Sequence, residues 1–320
     1  MLYSLLKLPA RLAFFFYCRK LVVHYRESLK KKGPLLIAAN HPNAFLDAII
    51  IATLFKAPVN SLTRGDAFAN GFYSKLLRSL NMLPVYRLSE GAENIDTNYT
   101  TFSACIDIFK KGGIVLIFSE GECVNEWDLR PLKKGTARLA LTAWQQGIPL
   151  EILPVGINYN SYRSFGKNIG ISFGQSINNN DIQINTSPGL FIAAFNSLLL
   201  KRLSHLVYQK GNTDLYKDLI SVRPTPLQRA FLFLPSAIGY FIHYPLMILG
   251  KSLIKKKDDD MYDSILIGIL FVFYPLYLLL ITLLIYFVTS SAFSFVLLLL
   301  LPLTALAHLK LMDIKKPIKF

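Results

Sequence analysis

The sequence predicts an α/β domain, a mixed sheet flanked by helices, followed by a C-terminal transmembrane helical hairpin. Three observations carry this reading. Between residues 33 and 209, short apolar runs alternate with helical ones, a pattern that lays helices on the faces of a mostly parallel or mixed sheet. Polar groups suited to chemistry fall at or just after the ends of four of those runs, where such sheets bind ligands. Two C-terminal stretches, 264–289 and 291–309, are each apolar and long enough to cross a bilayer.

Residues 1–32 mix apolar clusters (Leu12, Phe14, Phe15, Phe16) with Lys7, Arg11, Arg19 and Lys20. No run there approaches the ~20 residues of a span, so the segment reads as an amphipathic basic stretch at a membrane surface. No small-residue cleavage site follows it, which argues against a signal peptide. Strands are expected at 34–39, 59–63, 83–87, 113–118, 150–158 and 169–175. Helices are expected at 43–55, 67–80, 97–111, 133–146 and 188–209. Residues 178–187 read as a polar loop. Residues 210–230, polar and carrying Pro224 and Pro226, read as a linker between the domain at 33–209 and a membrane region at 231–320. Within that region 231–250 is apolar but interrupted by Pro235, Gly239, His243 and Pro245, and is expected to be re-entrant or interfacial. Lys251 and Lys255–Lys257 precede the hairpin; Lys310, Lys315, Lys316 and Lys319 follow it. Positive flanks place both ends in the cytoplasm, and with 231–250 not spanning, the α/β domain shares that face.

Composition agrees. A mean hydropathy of +0.38 with 52% hydrophobic residues exceeds that of a plain soluble enzyme. A net charge of +15 beside apolar helices points to anionic lipid and not to nucleic acid. Cys18, Cys105 and Cys123 form no C-x-x-C pair, so neither a disulfide framework nor a zinc site is expected. No glycine-rich nucleotide fingerprint and no metal site is seen. Asp258-Asp259-Asp260 beside lysines reads as solvated charge. His24, His205, His243 and His308 have no motif around them and read as packing or interfacial residues.

The chemistry concentrates in Asn40-His41-Pro42-Asn43-Ala44-Phe45-Leu46-Asp47, between the apolar runs Leu35–Ala39 and Ala48–Ala52. Imidazole titrates near neutrality and can take a proton from an alcohol. A carboxylate shortly after it can accept from the other ring nitrogen. A second signal, Phe118-Ser119-Glu120-Gly121, closes another apolar strand. Taken alone, the pair also reads as a loop histidine and a solvated helix carboxylate.

With their neighbours, these motifs resemble the glycerophospholipid acyltransferase superfamily. Its first motif, Asn-His-(four residues)-Asp, is similar to Asn40, His41 and Asp47. Here five residues, Pro42 to Leu46, separate His from Asp. This form resembles the branch containing fungal glycerol-phosphate and dihydroxyacetone-phosphate acyltransferases. In a regular helix the extra residue would rotate Asp47 by ~100°, so the turn must absorb it. The second motif corresponds to Leu83-Pro84-Val85-Tyr86-Arg87, with Arg87 holding acceptor phosphate by its planar fork; Arg64 resembles a basic residue earlier in that region. The third is Phe118–Gly121, with Ser119 where proline is usual. By resemblance Glu120 binds or positions the acceptor and Gly121 allows close backbone approach. Lys134 and Arg138 follow in a basic segment, and Ile152-Leu153-Pro154-Val155-Gly156 is similar to the fourth motif.

The resemblance covers roughly residues 33–175. It implies an acyltransferase-like domain with His41 and Asp47 catalytic, and with Asn40, Arg64, Arg87, Glu120 and Gly121 binding substrate. It implies acyl transfer from acyl-CoA or acyl-carrier protein to a glycerol-phosphate-type hydroxyl. The first-ranked acceptor is 1-acylglycerol-3-phosphate (lysophosphatidate); glycerol 3-phosphate, other lysolipids and amino-lipids stay open. It implies no metal or redox cofactor, and membrane lipids, donor and acceptor as partners. A hydrolase using the same pair lacks a G-x-S-x-G elbow. A non-catalytic lipid-binding membrane protein stays open because of the altered spacer and Ser119. Cys123 reads as a thiol near the site, since a nucleophilic cysteine needs its own base.

Overall fold

The computed structural model describes residues 2–86, 95–208, 224–254 and 260–312. A seven-stranded sheet runs in the order β1-β7-β6-β2-β5-β3-β4. The strands are β1 (Lys20–His24), β2 (Leu35–Ala39), β3 (Val59–Arg64), β4 (Met82–Val85), β5 (Ile114–Phe118), β6 (Glu151–Tyr159) and β7 (Asn168–Phe173). β6, β2, β5, β3 and β4 are mutually parallel, while β7 lies antiparallel to β6 and carries β1 parallel to itself. β2 is buried along its whole length and β5 along nearly all of it, as expected of central parallel strands covered on both faces, which read as unbroken apolar runs.

α1 (Leu2–Tyr17), α2 (Ala44–Leu54) and the start of a C-terminal helix cover one face of the sheet. α4 (Ile95–Lys110), α5 (Gly135–Gln145) and α6 (Pro188–Ser204) cover the other. α3 (Gly71–Ser79) is a short surface helix capped by Asn70, whose side chain accepts from the backbone of Phe72 and Tyr73. Residues 20–24, assigned from sequence to a membrane-surface segment, form the edge strand β1. Only one side of this strand meets the core, so a mixed pattern flanked by lysine and arginine hid it. The helix before it does present an apolar outer face, with Leu5, Leu8, Leu12 and Phe15 exposed.

Three C-terminal helices follow: α7 (Pro226–Ser252), α8 (Tyr262–Thr289) and α9 (Leu297–Leu311), the last preceded by a 3-10 turn at Ala292–Val296. α8 and the Ala292–Leu311 segment are long and apolar enough to cross a membrane, as expected, and so is α7. The prolines of 231–250 were expected to interrupt a helix, but α7 runs through Pro235 and Pro245. A Thr225–Gln228 capping box and Pro226 in the first turn start it, so it begins inside the stretch read as linker. Proline costs a helix one hydrogen bond, a loss that helices packed among other helices tolerate. In the turn before Pro245, the Ile242 carbonyl accepts from Tyr277 Oη at 2.5 Å. Gly239 permits the close approach of α9, since a Cβ there would sit 2.2 Å from the Thr304 carbonyl oxygen.

Candidate active site

The parallel register brings the C-terminal ends of β2, β5 and β6 side by side, with Ala39 opposite both Phe118 and Val155. The turn 40–47 leaves β2 at Asn40. The Asn40 side chain bridges to β6 by accepting from Ile157 N–H (2.8 Å) and donating to its carbonyl (3.0 Å). Asn40 therefore ties the turn to the sheet.

His41 Nδ1 lies 2.9 Å from Asp47 Oδ2. Asp47 is 0% exposed, whereas the His41 side chain is 18% exposed. Two further donors meet the carboxylate: Asn43 N–H at Oδ2 (2.8 Å) and Tyr159 Oη at Oδ1 (2.6 Å). A carboxylate that accepts from these groups is positioned to orient a protonated Nδ1. Burial and the Asp47 charge push the Tyr159 phenol well above its ordinary range, so it stays a donor. The imidazole stacks on Phe118, with ring centroids 3.8 Å apart and planes within 7°.

The five-residue spacer is absorbed before the helix settles. Ala44 opens α2 with φ +43°, in the left-handed region that L-residues avoid. Its N–H points to Cys123 Sγ at 2.8 Å, so Asp47 lands in the first turn facing His41. Burial first, and nearby Asp47 second, push the Cys123 thiol up to about 12. It acts here as a half-buried thiol partner, not as a thiolate.

Glu120 is buried and braces the turn. Its Oε2 accepts from His41 N–H (2.8 Å) and its Oε1 from Arg130 N–H (2.9 Å). Burial raises its pKa; the two backbone N–H groups oppose that shift. Gly121 has φ +69°, and a Cβ there would meet Lys133 Cγ at 2.8 Å. Ser119, where proline is usual in the resemblance, uses what proline lacks. Its N–H donates to Ala39 O (2.9 Å) and its hydroxyl pairs with Thr136 Oγ1 (3.0 Å). The 122–130 loop folds over the turn, with Asn125 Nδ2 donating to Pro42 O (2.8 Å).

His41, Asp47, Asn40, Glu120 and Gly121 are thus brought together. Arg64 ends β3, two strands from β2, where Nε donates to Asp66 Oδ1 at 3.1 Å in an exposed pair. Arg87 lies outside the described residues. Tyr159 escaped the sequence reading; its only signal was a phenol closing a mostly apolar strand. No cluster of His, Cys, Asp and Glu suited to a metal occurs among the described residues.

Residues 20–158 match a family model described as Acyltransferase. A 1-acyl-sn-glycerol-3-phosphate acyltransferase of Borreliella burgdorferi is 28% identical over 158 residues, covering 49% of this chain and 58% of that protein. The chain therefore spans under two thirds of that relative. The crystal structure of the 1-acyl-sn-glycerophosphate (LPA) acyltransferase PlsC from Thermotoga maritima aligns with a TM-score of 0.46 at 15% identity, over 64% of this chain and 79% of that one. The matched residues 20–158 contain all four motifs, and this part of the chain is similar to acyltransferases of the glycerophospholipid acyltransferase superfamily.

Proposed function

We propose that this chain is a membrane-bound O-acyltransferase. It moves a fatty acyl group from a thioester, acyl-CoA or acyl-carrier protein, to the hydroxyl of a glycerol-phosphate lipid, with 1-acylglycerol-3-phosphate as preferred acceptor. The observation that supports it best is the 2.9 Å His41–Asp47 contact, with the carboxylate buried and the ring open to solvent.

With Nδ1 donating to Asp47, the lone pair lies on Nε2. Nε2 takes the hydroxyl proton as the oxygen attacks the thioester carbonyl. The tetrahedral intermediate collapses with loss of the C–S bond, and the imidazolium returns its proton to the departing thiolate. Ester and thiol are the products. A positioned base of this kind contributes on the order of a hundredfold or more in rate. Arg64, Arg87, Lys134 and Arg138 are the cations this reading assigns to acceptor phosphate. The acceptor is carried over from the name of the Borreliella relative.

The α7–α9 helices and the exposed apolar face of α1 support a membrane location, with the catalytic domain on the cytoplasmic face. Single cysteines at Ser79 and Lys251, probed in sealed vesicles, are expected to label from the same side. Labelling from opposite sides contradicts that placement. For the reaction, purified protein is given palmitoyl-CoA or palmitoyl-acyl-carrier protein with lysophosphatidate, glycerol 3-phosphate and an amino-lipid in competition. Phosphatidate as main product is expected. Preference for another acceptor overturns the assigned substrate, and release of free palmitate without transfer overturns the reaction.

A further inference from the structure

Asp263 stands in the first turn of α8, a helix otherwise almost wholly apolar, and is 1% exposed. An ionisable group at the mouth of a membrane helix is costly unless paired, and so flags a function. Its Oδ1 accepts from Tyr17 Oη (2.7 Å). Its Oδ2 accepts from Asn43 Nδ2 (2.7 Å) and from Arg163 N–H (3.2 Å), and pairs with the ammonium of Lys167, itself 1% exposed. The next residue continues the contact: Ser264 Oγ accepts from Leu46 N–H at 3.0 Å.

These contacts converge on the catalytic turn. Asn43 donates its backbone N–H to Asp47 and its side-chain amide to Asp263. Leu46 N–H is one of the donors that the first turn of any helix leaves without an intrahelical partner. Here α8 supplies the acceptor. Between them sits Ala44 with φ +43°, a conformation that persists only where surrounding contacts over-determine it. Asp263 and Ser264 also lie about a hundred residues beyond the family match, which ends at residue 158.

We propose that Asp263 is a positioning residue for the His41–Asp47 pair, so that the first turn of a membrane helix holds the catalytic turn in its reactive shape. α8 then acts in catalysis as well as in anchoring. The inference rests on the acyl-transfer reading for its kinetic arm only.

The test uses the full chain in detergent and three proteins beside wild type: Asn43→Ala, the charge-neutral Asp263→Leu/Lys167→Met, and all three substitutions together. Replacing a buried ion pair by apolar residues often preserves stability, so this double substitution separates positioning from charge burial. Palmitoyl transfer is read as kcat and KM, and hydrogen exchange is followed in residues 41–47. Small misplacements of reacting groups cost up to about a hundredfold. The expected result is a ~10–100-fold fall in kcat for both Asn43→Ala and the double, with KM unchanged. The combined protein should be no worse than the weaker of the two, and exchange in 41–47 should be faster in all three. Unchanged kcat and unchanged exchange in a folded double overturn the proposal, as do additive losses. If the double does not fold, Asn43→Ala and Ser264→Ala decide: lower kcat at unchanged melting temperature supports the proposal, and unchanged kcat overturns it. A wild type that transfers no acyl group overturns the acyl-transfer reading instead, and the exchange arm still decides the positioning.

Discussion

Three donors converge on Asp47 from separate parts of the chain: His41 and Asn43 from its own turn, and Tyr159 from the end of β6. Tyr159→Phe leaves Oδ1 without its partner in a buried site. That change costs about 1–3 kcal/mol, and kcat should fall roughly tenfold, as a less firmly held carboxylate orients His41 less well; thermal unfolding and steady-state kinetics check both. Glu120 gives a pH signature. Its folded pKa is raised above the ordinary 4.5 by burial, so between 4.5 and that raised value the folded state holds more protons than the unfolded. Stability from this group is therefore full below pH 4.5 and is lost as pH rises through the window. Unfolding followed across that range should show a shallower fall for Glu120→Gln. At this scale the motif made His41, Asp47 and the two glycine- and asparagine-bearing turns legible. Tyr159, Lys167 and Asp263 were not, because a buried carboxylate draws partners from elements 96 to 112 residues away.

The turn 40–47 shows how an element can depart from a family spacing and keep its geometry. One left-handed residue, Ala44, takes up the extra position. Ala44→Gly should retain transfer, because glycine accepts that backbone freely. Ala44→Val should lose about 1–2 kcal/mol or more and most activity, read by melting temperature and kcat. Ser119→Pro would restore the residue usual in related motifs, yet it strands the Ala39 carbonyl and the Thr136 hydroxyl. A loss of about 1–3 kcal/mol is expected from denaturation. Central strands and α2, α4, α5, α6 and α8 were readable because long apolar runs and alternation survive burial. β1 was not, as an edge strand buries one side only. α7 was read as a re-entrant or interfacial segment because proline interrupts helices in water, whereas the helix runs through both prolines here.

The whole molecule joins a mixed-sheet domain to apolar helices through shared core. Leu266 and Ile267 of α8 are buried in the same cluster as β2 and α2. Arg19 donates to the Met312 carbonyl at 2.8 Å, and Lys310 to Arg19 O at 3.3 Å. The helices therefore grip the domain at residue level. Gly239→Leu, which drives a side chain into the α9 backbone at Thr304, should cost about 1–3 kcal/mol by overpacking and lower the melting temperature in detergent. The alternation and the hydropathy pattern made this two-part organisation legible. The interlock was not, because it depends on single polar residues at helix ends. The central claim is that His41, oriented by Asp47, is the base of an acyl transfer. The measurement that tests it most directly is the rate of palmitoyl transfer from palmitoyl-CoA to lysophosphatidate by the detergent-solubilised chain, wild type against His41→Ala. Phosphatidate from wild type and a loss on the order of a hundredfold or more in the variant is the predicted result. Equal rates in the two proteins, with both folded, would contradict it.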